Sequence, residues 1–154
     1  MLQRDELFSS LSEDEHAYLL AGARRLTFAA GETILAEGAR AEAIYVLRHG
    51  RAHVEREHLG RSIAFARLGA GEVFGEISFL QRSRASGSVI ADGTCEVEIL
   101  DRALVDQLLS VPTVAAGFYR TLALALARRL RETGALLPPL LVEDVPQVTR
   151  LLGP

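Results

Sequence analysis

"FGEISFLQRSRASGSV", residues 74–89, is the stretch on which the reading of this chain turns. A glycine precedes a short amphipathic run, an acid opens that run, and a loop carrying Arg82 and Arg84 follows it. Gly75 takes backbone dihedrals closed to other residues and lets a ligand approach the main chain closely. Backbone N–H groups at the start of a helical turn favour an anion. Ile77, Phe79 and Leu80 are the residues that would pack this turn onto a core. Glycine, acid and basic loop together suit a sugar-phosphate, and the open question is which arginine meets the phosphate.

Outward from this stretch, glycine punctuates the chain. Nine of the 13 glycines lie between Gly31 and Gly93, while all five prolines lie at Pro112 or later. Short segments between glycines ("ETILAEG", "AIYVLRHG", "RAHVEREHLG", "RSIAFARLGAG", "SVIADG") read as strands joined by turns. "AIYVL" and "CEVEIL" alternate, so every second residue can face a common interior. Many short strands at near-regular spacing imply a sandwich or barrel.

Helical signals flank this zone. Ser12 with Glu15 is a capping box, and Leu11, Leu19, Leu20 and Leu26 are expected to pack the first helical region onto the strands. Asp101 is the expected N-cap of a short helix, and Pro112 begins a longer one over about residues 112–136. The reading gives one domain over 1–137 and a proline-containing tail over 138–154.

Composition narrows the function class. The chain has 154 residues, is 49% hydrophobic and carries a formal charge of −3, with arginine as its only strongly basic residue. That balance lacks the basic surface of a nucleic-acid binder. A single cysteine, Cys95, excludes an internal disulfide and fits a reducing, cytoplasmic setting. The start "MLQRDELFSS" lacks the apolar core of a signal peptide, and "VAAGFYRTLALALARRL" is too short and too charged to insert in a membrane.

"LFSSLSEDE", "GETILAEG", "IYVLRHGRAHV", "LGAGEVFGEISFL" and "SVIADGTCEVEILDR" together resemble the cyclic-nucleotide-binding domain family over roughly residues 7–136. The resemblance implies a mainly β fold: an eight-stranded jelly-roll barrel with N-terminal helices and C-terminal helices B and C. It also implies a phosphate-binding cassette inside the roll, and no catalysis. Phe74, Gly75, Glu76, Ile77 and Ser78 fall on the cassette helix, with Glu76 on the acid that binds the ribose hydroxyl in the family. Family binders continue as Pro-Arg, small, Ala, Ser or Thr, then Val. Aligned without gaps, Val89 takes the valine, Ser88 the Ser or Thr, and Ser86 and Gly87 the small positions. Ala85 then stands where the phosphate arginine belongs, one residue after Arg84. A one-residue shift in the loop would make Arg84 the phosphate ligand; Arg82 is the weaker candidate.

Two functions follow from the resemblance. The first is a regulatory module that binds cAMP or cGMP and signals through its C-terminal helices. The alternative is an interaction module that holds no nucleotide, its arginine slot being filled by alanine. A third reading, a cupin-like metal enzyme, would need His-x-His with an acid and a distant third His. His49 and His53 straddle Gly50, no histidine follows His58, and His53 with Glu55 reads as solvated surface, so no metal is expected. DNA binding is not expected either, since the residues after helix C leave no room for a recognition helix. On helix C, Val114, Phe118, Leu122, Leu126 and Leu130 form one apolar stripe. Tyr119, Ala123, Leu126 and Leu130 are the expected contact with a second copy or another protein.

Overall fold

The computed structural model describes residues 2–40 and 42–136; the tail expected over 138–154 lies outside them. Eight strands among the described residues form two four-stranded antiparallel sheets. They are β1 (Arg24–Phe28), β2 (Thr33–Leu35), β3 (Ala43–His49), β4 (Ala52–His58), β5 (Arg61–Leu68), β6 (Val73–Phe74), β7 (Ser88–Ala91) and β8 (Cys95–Asp101). One sheet runs β1-β8-β3-β6 and the other β2-β7-β4-β5. The expected barrel is therefore two stacked sheets: strands pair within each sheet, and no ladder between the sheets closes a barrel among the described residues.

The helices are α1 (Arg4–Leu7), α2 (Glu13–Gly22), α3 (Glu76–Gln81), α4 (Arg102–Leu109) and α5 (Pro112–Leu136). Ser12 caps α2, accepting from the Glu15 N–H while the Glu15 carboxylate accepts from the Ser12 N–H. Asp101 caps α4 by accepting from the Leu104 N–H at 3.1 Å. Both caps satisfy backbone donors that a helix start leaves without partners. α4 and α5 bend through 111° where they meet, with Pro112 opening the second helix. No single helix among the described residues is long and apolar enough to cross a membrane.

Two apolar cores lie on opposite faces of the first sheet. On β3, Ala43 and Leu47 point into an inter-sheet core with Leu35, Ala52, Leu68, Val89 and Val97. Ile44 and Val46, one residue out of phase, join a second core with Leu7, Phe8, Phe79, Leu104, Phe118 and Leu122. Period-two alternation thus supplies both cores from one strand. It accounts for "AIYVL" being apolar at every position, where the alternation alone pointed to one interior. Cys95, also in the inter-sheet core, donates from Sγ to the Arg51 carbonyl at 3.0 Å.

Several expected contacts differ. Leu19 is fully buried, but Leu20 is 45% and Leu26 is 44% exposed. Leu26 sits on β1, an edge strand, and Leu20 follows Leu19 on the outward side of α2. On α5, Val114, Phe118, Leu122 and Ala125 are buried, while Leu126 and Leu130, expected at a contact with a partner, are exposed. A four-residue step over-rotates by about 40° per repeat in a 3.6-residue helix, so a strict stripe drifts off the core.

A carboxylate sits where the second core meets the sheet. Glu98 on β8 is completely buried, with Arg4 Nε 3.3 Å from Oε1 and the Arg25 and Arg48 Nε atoms 3.8 and 3.9 Å from Oε2. Arg4 is itself buried, and it fastens α1 against the sheet. Removing one partner of a buried pair strands the other charge, at a cost of about 3–5 kcal/mol. Glu98→Gln is therefore expected to lower urea-unfolding stability by about that amount. Arg25→Ala, at a more exposed partner, should cost no more than about 1 kcal/mol.

Candidate functional site

β6 ends at Phe74 and α3 starts at Glu76, so Gly75 makes the whole turn between them. Its φ is +79°, in the left-handed region, and a Cβ there would lie 2.9 Å from the Tyr45 ring. Tyr45 stacks on Phe74 with ring centroids 5.2 Å apart, so glycine is required by both the backbone and the neighbouring ring. Burial pushes the Tyr45 phenol above its ordinary value, with Arg24 opposing. The turn delivers Glu76 as the first residue of α3, and its side chain is 3% exposed.

The β6–α3 segment spans both cores. Phe74 belongs to the inter-sheet core, and Phe79 to the core beneath the helices, with Leu80 packed beside it. Ile77, expected to pack inward, is 37% exposed, because it lies about 200° around the helix from Phe79. Ser78 is buried, and its carbonyl accepts from the Ser83 N–H at 3.0 Å. Arg102, the first residue of α4, lays its guanidinium 4.0 Å over the Phe79 ring and donates to the Phe79 carbonyl at 2.9 Å. Sequence reasoning missed this link, since the only local signal was an arginine after an N-cap aspartate.

The loop after α3 is fastened along its length. Arg82 ends the helix with φ +51°, exposed. Arg84 is also exposed, and its Nη1 donates to the Gly38 carbonyl at 2.7 Å. Ala85 turns inward at 5% exposure, with its N–H on the Ala39 carbonyl and its own carbonyl accepting from Gly38, each at 2.8 Å. Ser86 is exposed and its carbonyl accepts from Arg56 Nε at 2.7 Å. The Ser88 hydroxyl accepts from the Glu37 N–H at 2.9 Å. The structure thus puts Ala85 on the inner side and directs the Arg84 guanidinium to the neighbouring turn. Arg56, unremarked in the sequence, is the basic side chain that reaches Ser86.

The histidines do not gather. His53 Nδ1 lies 2.6 Å from Asp92 Oδ1 and its Nε2 3.4 Å from Glu55 Oε2, on the face of β4 opposite the buried Ala52. His53 and Glu55 do share a strand face, half-buried, and Asp92 was the partner that spacing gave no sign of. Together with Arg51, Phe65 and Arg67, His53 and Asp92 border a depression of about 750 Å³. Among the described residues no group of three His, Cys, Asp or Glu side chains is arranged to hold a metal ion.

A profile of the cyclic nucleotide-binding domain family matches residues 25–111, more than half of the chain. The chain belongs to the cyclic nucleotide-binding domain family. It is 36% identical over 131 residues to the cyclic AMP receptor protein of Thermus thermophilus, covering 82% of this chain and 57% of that protein. The crystal structure of the Thermus thermophilus catabolite activator protein superposes with a TM-score of 0.71 at 34% identity, over 84% of this chain and 60% of that one. Glutaminase 2 of Bradyrhizobium diazoefficiens is 32% identical over 130 residues, which is 84% of this chain but 20% of that enzyme. The chain spans less than two thirds of each of these relatives.

The His53 pair has a pH signature. The Asp92 hydrogen bond is the largest influence, and with Glu55 it outweighs desolvation, raising the imidazole pKa above its ordinary 6.5. A raised folded-state pKa contributes stability that is complete below about 6.5 and is lost as pH climbs through the folded value. NMR titration should find His53 titrating above 6.5, and Asp92→Asn should move it back down.

Proposed function

We propose that the chain is a non-catalytic regulatory module that binds a cyclic nucleotide, cAMP or cGMP, against the cassette and passes occupancy to α4 and α5. The observation that carries this reading is the cassette turn: a left-handed Gly75, fitted to the Tyr45 ring, that presents the buried carboxylate of Glu76 inside a family-matched fold. In this reading Glu76 accepts from the ribose hydroxyls. Phe74, Gly75, Ile77 and Ser78 shape the wall behind it, and Ala85, Ser86 and Ser88 line the phosphate side. Arg84 joins them only if its guanidinium leaves the Gly38 carbonyl. The relatives lend support, the Thermus thermophilus receptor being described as one for cyclic AMP.

Arg102 supplies the coupling. A cassette that tightens on a ligand carries Phe79 with it, and Phe79 is tied to the first residue of α4 by a ring contact and a hydrogen bond. α4 packs on α5, whose Tyr119, Ala123, Leu126 and Leu130 are exposed. The reading takes these four as the contact with a second copy of the chain, and takes the module as cytoplasmic. A second reading, an interaction module that holds no nucleotide, rests on Ala85 in the arginine slot.

Calorimetric titration with cAMP and cGMP tests the choice. Binding is expected, and Glu76→Gln should weaken it about tenfold or more, the loss of a charge-assisted hydrogen bond. No heat with either nucleotide up to millimolar concentration, at two temperatures, favours the vacant module. For the assembly, sedimentation at micromolar concentration should give a dimer mass that Leu126→Glu with Leu130→Glu reduces to a monomer. A wild-type monomer overturns the α5 contact.

A further inference from the structure

The loop that ought to present a cation inward presents Ala85, and Arg84 is occupied on the Gly38 carbonyl. A cation reaches the same loop from another strand. On β4, Ala52 and Val54 pack into the inter-sheet core, so alternation puts Arg56 on that inner face, two residues beyond Val54. Its Nε donates to the Ser86 carbonyl at 2.7 Å, which holds the guanidinium beside the cassette loop.

The surroundings complete a subsite. β4 and β5 slip register between Val54 and Glu55, leaving Phe65 as the extra residue of a bulge on β5. The Phe65 ring lies 5.5 Å from the Arg56 guanidinium carbon and is 57% exposed. Gly87 is the residue that admits this arrangement. A Cβ there would come within 2.8 Å of the Glu55 carbonyl and 3.4 Å of the Phe65 ring. Among the described residues Arg56 pairs with no carboxylate, and its hydrogen bond to Ser86 engages Nε alone. A guanidinium has five N–H donors, so four remain, on the two terminal nitrogens that form a planar fork.

We propose that Arg56, seated on the Ser86 carbonyl and flanked by Phe65, is the phosphate ligand of this module, replacing the arginine that the cassette lacks at Ala85. The class of ligand is a cyclic phosphodiester, whose single charge is shared by two exocyclic oxygens spaced to accept from both arms of the fork. This rests on the nucleotide-binding reading above.

Calorimetry with cAMP and cGMP at several salt concentrations separates the two ideas, using the full chain, Arg56→Ala, Arg56→Gln and Arg84→Ala, each first shown to keep its unfolding midpoint. Arg56→Ala and Arg56→Gln should each weaken binding about ten- to a hundred-fold, the loss of charge-assisted hydrogen bonds, and by more than Arg84→Ala, which loosens the loop only at the Gly38 carbonyl. The glutamine keeps an N–H for the Ser86 carbonyl but no charge. Its loss of affinity, with a flatter dependence on salt, therefore marks contact with the anion and not loop anchoring. Wild-type affinity in Arg56→Gln, or a large loss confined to Arg84→Ala, overturns the Arg56 assignment and leaves nucleotide binding standing. A wild-type chain silent to both nucleotides overturns the nucleotide reading, and the assignment falls with it.

Discussion

The central strands β8 and β3 of the β1-β8-β3-β6 sheet are buried on both faces, and the rest of the molecule is arranged to satisfy that condition. A strand offers alternate residues to opposite sides, so β3 and β8 must supply two cores at once. Glu98 falls on the helix-facing side of β8 with no exposure to water. A carboxylate there requires a cation, and Arg4 provides it from the first helix. Once Arg4 is placed, α1 follows. Phe8 then meets Phe118 of α5 with centroids 6.0 Å apart, and Glu6 lies within 3.5 Å of Arg128. One buried charge pair thus orients the N-terminal segment and helps hold the last helix against the sheet.

The cassette lies where the two cores meet. Phe74 is anchored between the sheets and Phe79 under the helices, with Gly75 as the bend between those anchors. A close-packed interior resists small volume changes, so displacement at one anchor is felt at the other. Arg102 extends the same linkage into α4 through the Phe79 ring and carbonyl. The cassette is in this sense a lever set across two cores.

The arginines show why a basic residue near a loop says little by itself. Arg82, Arg84 and Arg56 are all within reach of the cassette loop, yet each is used differently. Arg82 terminates a helix, Arg84 fastens the loop to the Gly38 turn, and Arg56 comes in from β4 to the Ser86 carbonyl. Separation along the chain ranks Arg84 first, whereas the hydrogen bonds turn Arg84 to the Gly38 carbonyl and seat Arg56 on the Ser86 carbonyl. A long side chain with several rotatable bonds takes its direction from the acceptors it finds, and those lie on other strands.

What the sequence determined by itself is whatever local chemistry controls. The Ser12 and Asp101 caps, the Pro112 start of α5, the strand-and-glycine rhythm and the Gly75 turn were all legible, because each depends on residues within a few positions of one another. The limit appears where distant segments decide burial. Leu20, Leu26 and Ile77 are apolar and correctly spaced, yet exposed, since spacing marks a face without saying what covers it. The Glu98–Arg4 pair, the Asp92 contact of His53 and the Arg56 approach to Ser86 join residues 94, 39 and 30 positions apart. Only the tertiary structure decided those, because strand order and register bring such partners together and no local periodicity records them.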